Sequence, residues 1–394
     1  MISSHFSNLL HELLPYLVCL LYGCRLNAAL QVGDPLVRVN AQRCSDEHRL
    51  LERVGRGYKA NMKRLLESSL KLGIVKCVVD LSVDPTHLLY WGEKAVKRWG
   101  SPFSTVMNKA LPGLYPLTCL DLLSGMFLLA SDFVGKARRD RRGKTKDLGK
   151  VTGKKVLRCV DFLTGIGVRV RSVTGDEGMC SAYLIEELRN RGIHHLLAVT
   201  SRSKLRALVP TIERWTRLGD GKLLGIRRDV EHNGVRTNLV VVRDDGRTYL
   251  YVSSYSRGAR YVWERFCRRG KHENKIGVAK SIGLEDGRPS VDLFQVKGHA
   301  LACIYLLMLL RVLCESMNMD PNMEPGTIRN LLTRQCYVRW DSTTGKMTAL
   351  VIASRAMLAK IGRSSIEWEG GSIQLLWHQN RRGTLTKDSG QRGE

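Results

Sequence analysis

The sequence lacks several features that would each assign it to a class of proteins. No two of its 11 cysteines stand in the CxxC spacing of a structural zinc site, and their odd number offers no disulfide framework. Its two longest apolar stretches, residues 13–22 and 299–310, are shorter than the ~20 residues that cross a bilayer. No basic leader precedes the first stretch, so a signal peptide is not expected. These absences predict a protein of the reducing cytoplasm with no membrane partner.

Acidic residues are also scarce. The 37 Asp and Glu residues face 63 Lys and Arg residues, which leaves a formal net charge of +26. A field of this sign attracts polyanions, so nucleic acid is the first partner to consider, although a generic basic protein would carry the same charge. With 43% hydrophobic and 25% charged residues, the 394-residue chain is otherwise typical of a globular protein with two or three domains of roughly 150 residues each.

The order of the patterns divides the chain into five segments. Residues 1–72 show helical spacing of apolar side chains beside many Lys and Arg, which indicates a basic helical region for DNA binding or an amphipathic face in solvent. No helix-turn-helix is recognisable there. Strands and helices alternate over 73–218, β-hairpins occupy 219–256, and a long helix opens 257–318. Residues 319–394 hold a helical stretch, a mixed stretch and a basic tail.

Two strands are predicted to end in an acid. Residues 74–79 form an apolar run followed by Asp80, and residues 168–174 lead into Asp176. Asp84 is a second candidate for the first acid, but Asp80 follows the apolar run directly. A hairpin, a helix and a further helix–strand pair complete the pattern. The order strand, strand, strand, helix, strand, helix, strand is that of a ribonuclease-H-like α/β sheet.

The most basic part of the sequence lies between these two strands. Residues 135–158 contain eleven Lys and Arg against only two Asp. This concentration favours contact with nucleic-acid phosphates over a merely solvated face. The candidate DNA-binding residues of this segment are Arg138, Arg139, Arg141, Arg142 and Lys144.

A β-rich insertion is predicted after the second acid. Residues 219–256 alternate in a strand pattern, and the turn pairs Asn233-Gly234 and Asp245-Gly246 separate the strands, as tight hairpins require. A helix over 259–280 is predicted to follow. We expect this helix to carry the third acid.

The sequence of this helix resembles the signature of bacterial and archaeal insertion-sequence transposases of the DDE family, Tyr-x2-Arg-x3-Glu-x6-Lys. Arg269, Glu273 and Lys280 match the Arg, Glu and Lys of that pattern, and Phe266 stands at the Tyr position. A Gly-Leu pair follows the Lys, and a His opens a later apolar helix, as in that family. With the strand acids and the β insertion, the resemblance covers residues 74–315. Phenylalanine can stack but cannot donate the hydrogen bond that a tyrosine hydroxyl would.

The spacing of the signature has a physical reason. Residues four, seven and eleven apart return to nearly the same face of a helix, so Glu273 could reach a metal while its basic neighbours hold phosphates. An ordinary helical ion pair between Arg269 and Glu273 is the alternative interpretation. Glu264, with Arg260 and Lys271, satisfies the same spacing nine residues earlier, but no Gly-Leu pair follows. We therefore predict Glu273 as the third acid, with Glu264 as the alternative.

The resemblance implies a ribonuclease-H-like core in which Asp80, Asp176 and Glu273 bind two Mg²⁺ or Mn²⁺ ions. It implies hydrolytic nicking at the ends of a mobile element, then attack of the freed 3′ hydroxyl on target DNA, without a covalent enzyme intermediate. The implied partners are double-stranded DNA, as terminal inverted repeats and as target, and a second copy of the chain on paired ends. An inactive DNA-binding relative and a general nuclease of the same fold are the alternatives.

Overall fold

The computed structural model describes most of the chain between residues 47 and 316 and shorter pieces of the remainder. The described residues are 17, 47–71, 73–86, 88–89, 103–104, 109–110, 113–134, 148–199, 204–284, 293–316, 319–320, 323, 327–328, 336–341, 343–344, 346–353, 365–368 and 371–377. The predicted DNA-binding residues Arg138, Arg139, Arg141, Arg142 and Lys144 therefore lie outside the described residues, as does most of residues 1–46. The chain divides into two compact units, Met1–Met308 and Leu309–Glu394.

The first unit is a mixed α/β structure, as the sequence predicts. The described helices are α1 (Glu47–Arg56), α2 (Tyr58–Lys71), α3 (Leu148–Thr164), α4 (Ala182–Asn190), α5 (Ala259–Cys267), α6 (Gly270–Ala279) and α7 (Leu293–Ser316), whose last residues belong to the second unit. The described strands are β1 (Val78–Pro85), β2 (Leu88–Leu89), β3 (Phe103–Ser104), β4 (Lys109–Ala110), β5 (Gly113–Asp121), β6 (Phe127–Val134), β7 (Arg169–Gly175), β8 (His194–Val199), β9 (Trp215–Arg217), β10 (Leu223–His232), β11 (Val235–Asp244) and β12 (Arg247–Ser253). The described part of the unit also contains two 3₁₀ turns and a π turn, at Glu177–Met179, Lys204–Thr211 and Lys280–Leu284.

One ten-stranded sheet forms the frame of this unit. Its order is β2-β5-β1-β7-β8-β12-β11-β10-β9, and β6 also pairs with β5. The pairs β1–β7 and β7–β8 are parallel, and the other pairs are antiparallel. The strands predicted at 219–256 are confirmed, but they extend this sheet, because β12 pairs with β8 from Leu250–Val199 to Ser253–Leu196.

Helix α5 shares a core with these added strands. The buried cluster draws on β8, β10, β11 and β12, on the loop after β12, and on α5. Its members are Leu196, Leu224, Val240, Val242, Tyr251, Tyr255, Ala259 and Val262. Residues 219–256 therefore form part of the surface on which α5 packs.

The prediction for the first strand is wrong in its bounds. β1 begins at Val78 and continues to Pro85, so Asp80 lies inside the strand and does not end it. The chain turns at Gly73, whose φ of 71° favours glycine, and the apolar residues directly after it are buried in that turn. Because residues 79–83 are all buried, the sequence shows no alternation that would mark where the strand starts or stops.

The predicted helix over 259–280 is divided into α5 and α6. Its backbone tightens at the junction, where the N–H of Arg269 donates to the carbonyl of Phe266 over 2.8 Å. Arg269 becomes the residue that precedes α6, and no side chain caps this end of the helix. Lys280, predicted on the same stripe as Glu273, begins the π turn after α6.

Helix α7 is longer than the apolar stretch predicted within it. Among the described residues, the segment Phe294–Val312 is long and apolar enough to cross a membrane by length and composition, and 67% of it is buried within the protein. Inside the first unit α7 crosses α1 at very short range. A Cβ atom built on Gly298 would lie 2.0 Å from the carbonyl oxygen of Leu51, and one on Gly55 would lie 1.7 Å from that of Phe294. Glycine at both positions allows the two backbones to touch.

The second unit contains a four-stranded sheet. Its strands are β13 (Cys336–Asp341), β14 (Lys346–Ala353), β15 (Ser365–Trp368) and β16 (Gly371–Trp377), in the order β13-β14-β16-β15. The pair β14–β16 is parallel. From the sequence, only a mixed stretch is predicted here. Most of the helical stretch before it, residues 326–334, and the whole basic tail after it, residues 381–394, lie outside the described residues.

Candidate active site

Three alternate residues of β1 face the helix pair α5–α6. Side chains two apart on a strand point to the same face, and here each one contacts a different turn of the helices. The contacts are Arg265 to Asp80 at 2.7 Å, His272 to Ser82 at 2.9 Å and Arg269 to Asp84 at 2.6 Å. The helices that carry Glu273 are thus attached to β1 residue by residue.

Three carboxylates meet at the guanidinium of Arg269. Its nitrogens lie 2.6 Å from Asp84, 2.5 Å from Glu273 and 3.6 Å from Asp176. Asp84 and Asp176 are neighbours because Val83 of β1 pairs with Gly175 of β7, one residue before each of these acids. The structure therefore brings Asp176 and Glu273 together with Asp84, which the sequence analysis named only as the second candidate for the first acid.

The environment of Asp84 disfavours its charge. Its side chain is 15% exposed, and burial together with the carboxylates of Asp176 and Glu273 raises its pKa to about 6, against the opposing effect of Arg269. Like charges held this close repel each other, and one guanidinium does not neutralise three carboxylates. Additional positive charge would therefore stabilise the cluster.

Asp80 lies four residues earlier on β1, in a different environment. It pairs across the sheet with Ser172, not with Asp176, and its side chain is 2% exposed. Burial acts to raise its pKa, but hydrogen bonds from Arg171 and Ser172 and the charge of Arg265 outweigh burial and lower the pKa to about 2. Both carboxylate oxygens are bonded to arginine, Oδ1 at 2.8 Å and Oδ2 at 2.5 Å from Arg171. Asp80 is thus a buried anion held by two arginines, of which Arg171 is exposed.

The two arginines that hold Asp80 were not found from the sequence. Arg171 is the extra residue of a bulge, since Val79 pairs with Val170 whereas Asp80 pairs with Ser172. Arg265 reaches Asp80 from α5, and its guanidinium lies 4.9 Å from the ring centre of Tyr255. A bulge leaves no mark in a sequence, so only alternation along β1 could have suggested this face.

The rival third acid lies apart from the cluster. Glu264 is 56% exposed on α5 and pairs with Arg260 at 2.9 Å, as an ordinary helical ion pair does. Phe266 packs against Tyr251, with ring centres 4.3 Å apart. Both rings line a cavity of about 600 Å³ that also borders Asp176 and Arg269. The position that holds Tyr in the signature is therefore close to the carboxylates.

The carboxylate cluster fits a divalent cation by its chemistry. Within the described residues, no three His, Cys, Asp or Glu side chains already lie close enough together to hold one ion. Asp84, Asp176 and Glu273 instead surround a positively charged group, Arg269, and supply the carboxylate oxygens that Mg²⁺ and Mn²⁺ prefer. If Arg269 moved aside, its three partners would be left as oxygen donors around one space.

Comparison with known families identifies the chain. A family model described as Transposase DDE domain matches residues 109–307, about half of the sequence. The match includes Asp176 and Glu273 and begins after both candidates for the first acid, so it does not decide between them. Comparison with curated proteins finds no match. The chain belongs to the transposase family defined by this DDE domain.

Proposed function

We propose that the protein is a DNA transposase with a ribonuclease-H-like core whose metal-binding acids are Asp84, Asp176 and Glu273. The observation that carries the proposal is the convergence of these carboxylates on one guanidinium, beside the adjacent ends of parallel strands β1 and β7. Asp84 replaces the predicted Asp80, because Asp80 is sealed by arginines and faces Ser172.

In this proposal the site holds two Mg²⁺ or Mn²⁺ ions. Such ions would activate a water or a 3′ hydroxyl and neutralise charge at the leaving oxygen. The residues of the chain hold and orient the reactants. Asp84 binds the cation in its ionised form. Burial, with the carboxylates of Asp176 and Glu273, raises its pKa to about 6, so cation binding below that pH releases a proton. Arg269 passes from the carboxylates to a DNA phosphate. Its buried Nε finds no acceptor among the described residues, and a phosphate oxygen would provide one.

The DNA partner follows from charge and family. A net charge of +26 attracts the duplex, and the packed rings of Phe266 and Tyr251 offer an apolar surface at the cavity beside the acids. We propose double-stranded DNA as terminal repeats and as target. The reaction is hydrolytic nicking at the element ends followed by strand transfer, carried out in the cytoplasm by two copies of the chain on paired ends.

The test incubates the purified protein with Mg²⁺ or Mn²⁺ and duplexes that carry the flanking ends of its own locus. Asp84→Asn, Asp176→Asn and Glu273→Gln are expected to abolish nicking and strand transfer, whereas Glu264→Gln is expected to retain both. A folded Asp84→Asn variant that still cuts would remove Asp84 from the site. Binding without cutting by the wild type would support the inactive relative, and cutting that ignores the end sequence would support the general nuclease.

A further inference from the structure

His272 stands in the first turn of α6, directly before Glu273, and its side chain is fully buried. Its Nδ1 lies 2.9 Å from Ser82 Oγ on β1, and its Nε2 lies 2.9 Å from Thr118 Oγ1 on β5. The ring edge also packs on Phe127, with ring centres 5.9 Å apart. One imidazole therefore contacts three strands beneath the helix of the third acid.

The hydrogen bonds select one tautomer. Thr118 donates its hydroxyl proton to the carbonyl oxygen of Asp84 over 2.6 Å, so its oxygen is left to accept from His272. Nε2 must then carry the proton, and Nδ1 accepts from the hydroxyl of Ser82. Burial, with the charge of Arg269, lowers the pKa of His272 to about 3, in keeping with a neutral ring. The result is a directed chain of hydrogen bonds from Ser82 through His272 and Thr118 to the backbone of Asp84.

This chain joins the two sides of the carboxylate cluster. One end lies on the backbone of Asp84, and the inner member His272 directly precedes Glu273 in the sequence. The start of α6 has no side-chain cap of its own and follows a tightened turn, so local sequence alone does not fix where its first turn lies. A buried polar network that is fully satisfied has one low-energy arrangement.

We propose that His272 is a positioning residue which, through Thr118, sets the reach of the Glu273 carboxylate toward Asp84 and Asp176. The proposal rests on the proposed metal site of these three acids. His272 touches neither the DNA nor the cation in this role. It acts by holding the first turn of α6 to the backbone of Asp84, and loss of such support is expected to lower metal affinity about tenfold or more.

The chain offers a matched control in a second buried histidine. His195 Nε2 lies 3.0 Å from Thr237 Oγ1, and Thr237 donates to the carbonyl of Ser253 over 3.2 Å. This His–Thr–carbonyl arrangement has the same chemistry as that of His272 and Thr118. It involves β8, β11 and β12 and contacts none of the three acids.

The experiment measures Mn²⁺ affinity by calorimetry and stability by urea unfolding in EDTA, both on the full chain. His272→Leu and Thr118→Val are expected to weaken Mn²⁺ binding by about tenfold or more, because each removes a hydrogen bond between α6 and the strands beside the acids. Thr118→Ser, which keeps the hydroxyl, is expected to bind as the wild type does. His195→Leu and Thr237→Val are expected to lose comparable stability and keep their Mn²⁺ affinity.

Wild-type Mn²⁺ affinity in a folded His272→Leu variant would overturn the proposal. If that variant does not fold, the Thr118 pair decides: equal affinity of Thr118→Val and Thr118→Ser would overturn it. Asp84→Asn separates this failure from failure of the metal site itself. If Asp84→Asn binds Mn²⁺ as tightly as the wild type, the proposed site is wrong. If it loses Mn²⁺ while the His272 and Thr118 variants keep it, only the positioning role is wrong.

Discussion

The two candidates for the first acid are expected to affect stability in opposite directions. Asp84→Asn should stabilise the folded protein at pH 7.5, and Asp80→Asn should destabilise it. The reason is the direction of each pKa. Folding raises the pKa of Asp84 to about 6, so the ionised group opposes folding, whereas folding lowers the pKa of Asp80 to about 2, so its charge favours folding.

The magnitudes follow from the distance of each pKa from the ordinary value of 3.8. For Asp84, the rise to about 6 corresponds to roughly 3 kcal/mol of destabilisation at pH 7.5, at ~1.36 kcal/mol per pKa unit. That cost is relieved as the pH falls through 6 toward 3.8. For Asp80, the fall to about 2 corresponds to roughly 2 kcal/mol of stabilisation, which is present above pH 3.8 and lost as the pH falls through 2.

The assay is urea unfolding followed by circular dichroism, at pH 7.5 in EDTA, for the wild type and both variants. Asp84→Asn is expected to raise the unfolding free energy while abolishing DNA nicking. Asp80→Asn is expected to lower the unfolding free energy, because it leaves Arg171 and Arg265 beside a neutral group. Equal destabilisation by the two substitutions would refute the assignment of Asp84 to a site that disfavours its charge.

Three other perturbations test the fold and the site. Gly298→Ala should destabilise the protein by roughly 3 kcal/mol in thermal unfolding, because the added carbon meets the Leu51 backbone. Gly277→Ala, which has open space around it, should stabilise the protein by up to ~1 kcal/mol. Similar effects of the two substitutions would contradict the close helix crossing. Burial lowers the pKa of His195 to about 4, so this residue should contribute roughly 3 kcal/mol to the stability lost between pH 6.5 and 4 in a urea series, and the loss should be smaller by that amount in His195→Gln. Glu264→Gln should change the unfolding free energy by less than ~0.5 kcal/mol, since its ion pair is exposed, and a larger loss would show that the pair matters to the fold.

Local signals predicted the local structure well. The pairs Asn233-Gly234 and Asp245-Gly246 were expected to form tight hairpin turns, and all four residues have φ between 44° and 86°. Such turns need positive φ at both central residues, which Asn, Asp and Gly tolerate best. The strands on either side of each turn therefore came out at the predicted places.

Pairing between distant segments was harder to predict. Hydrophobic alternation shows that residues 247–253 form a strand, but it does not show that the strand pairs with β8. The same limit applies to the site. Asp84 is next to Asp176 only through the β1–β7 register, and that register includes a bulge at Arg171. Glu273 was reached from the family signature, whereas His272 gave no signal beyond its place beside Glu273.

The hairpin strands continue the main sheet, which limits how residues 219–256 can be exchanged in engineering. Because α5 packs on β10, β11 and β12, the hairpin strands form the surface that supports α5, the helix directly before the one that carries Glu273. Exchanging residues 219–256 alone between relatives would change the surface beneath α5 and leave α5 itself unchanged. The unit to exchange is therefore the strands together with α5 and α6. Such an exchange transfers Glu273 together with the strands on which α5 packs.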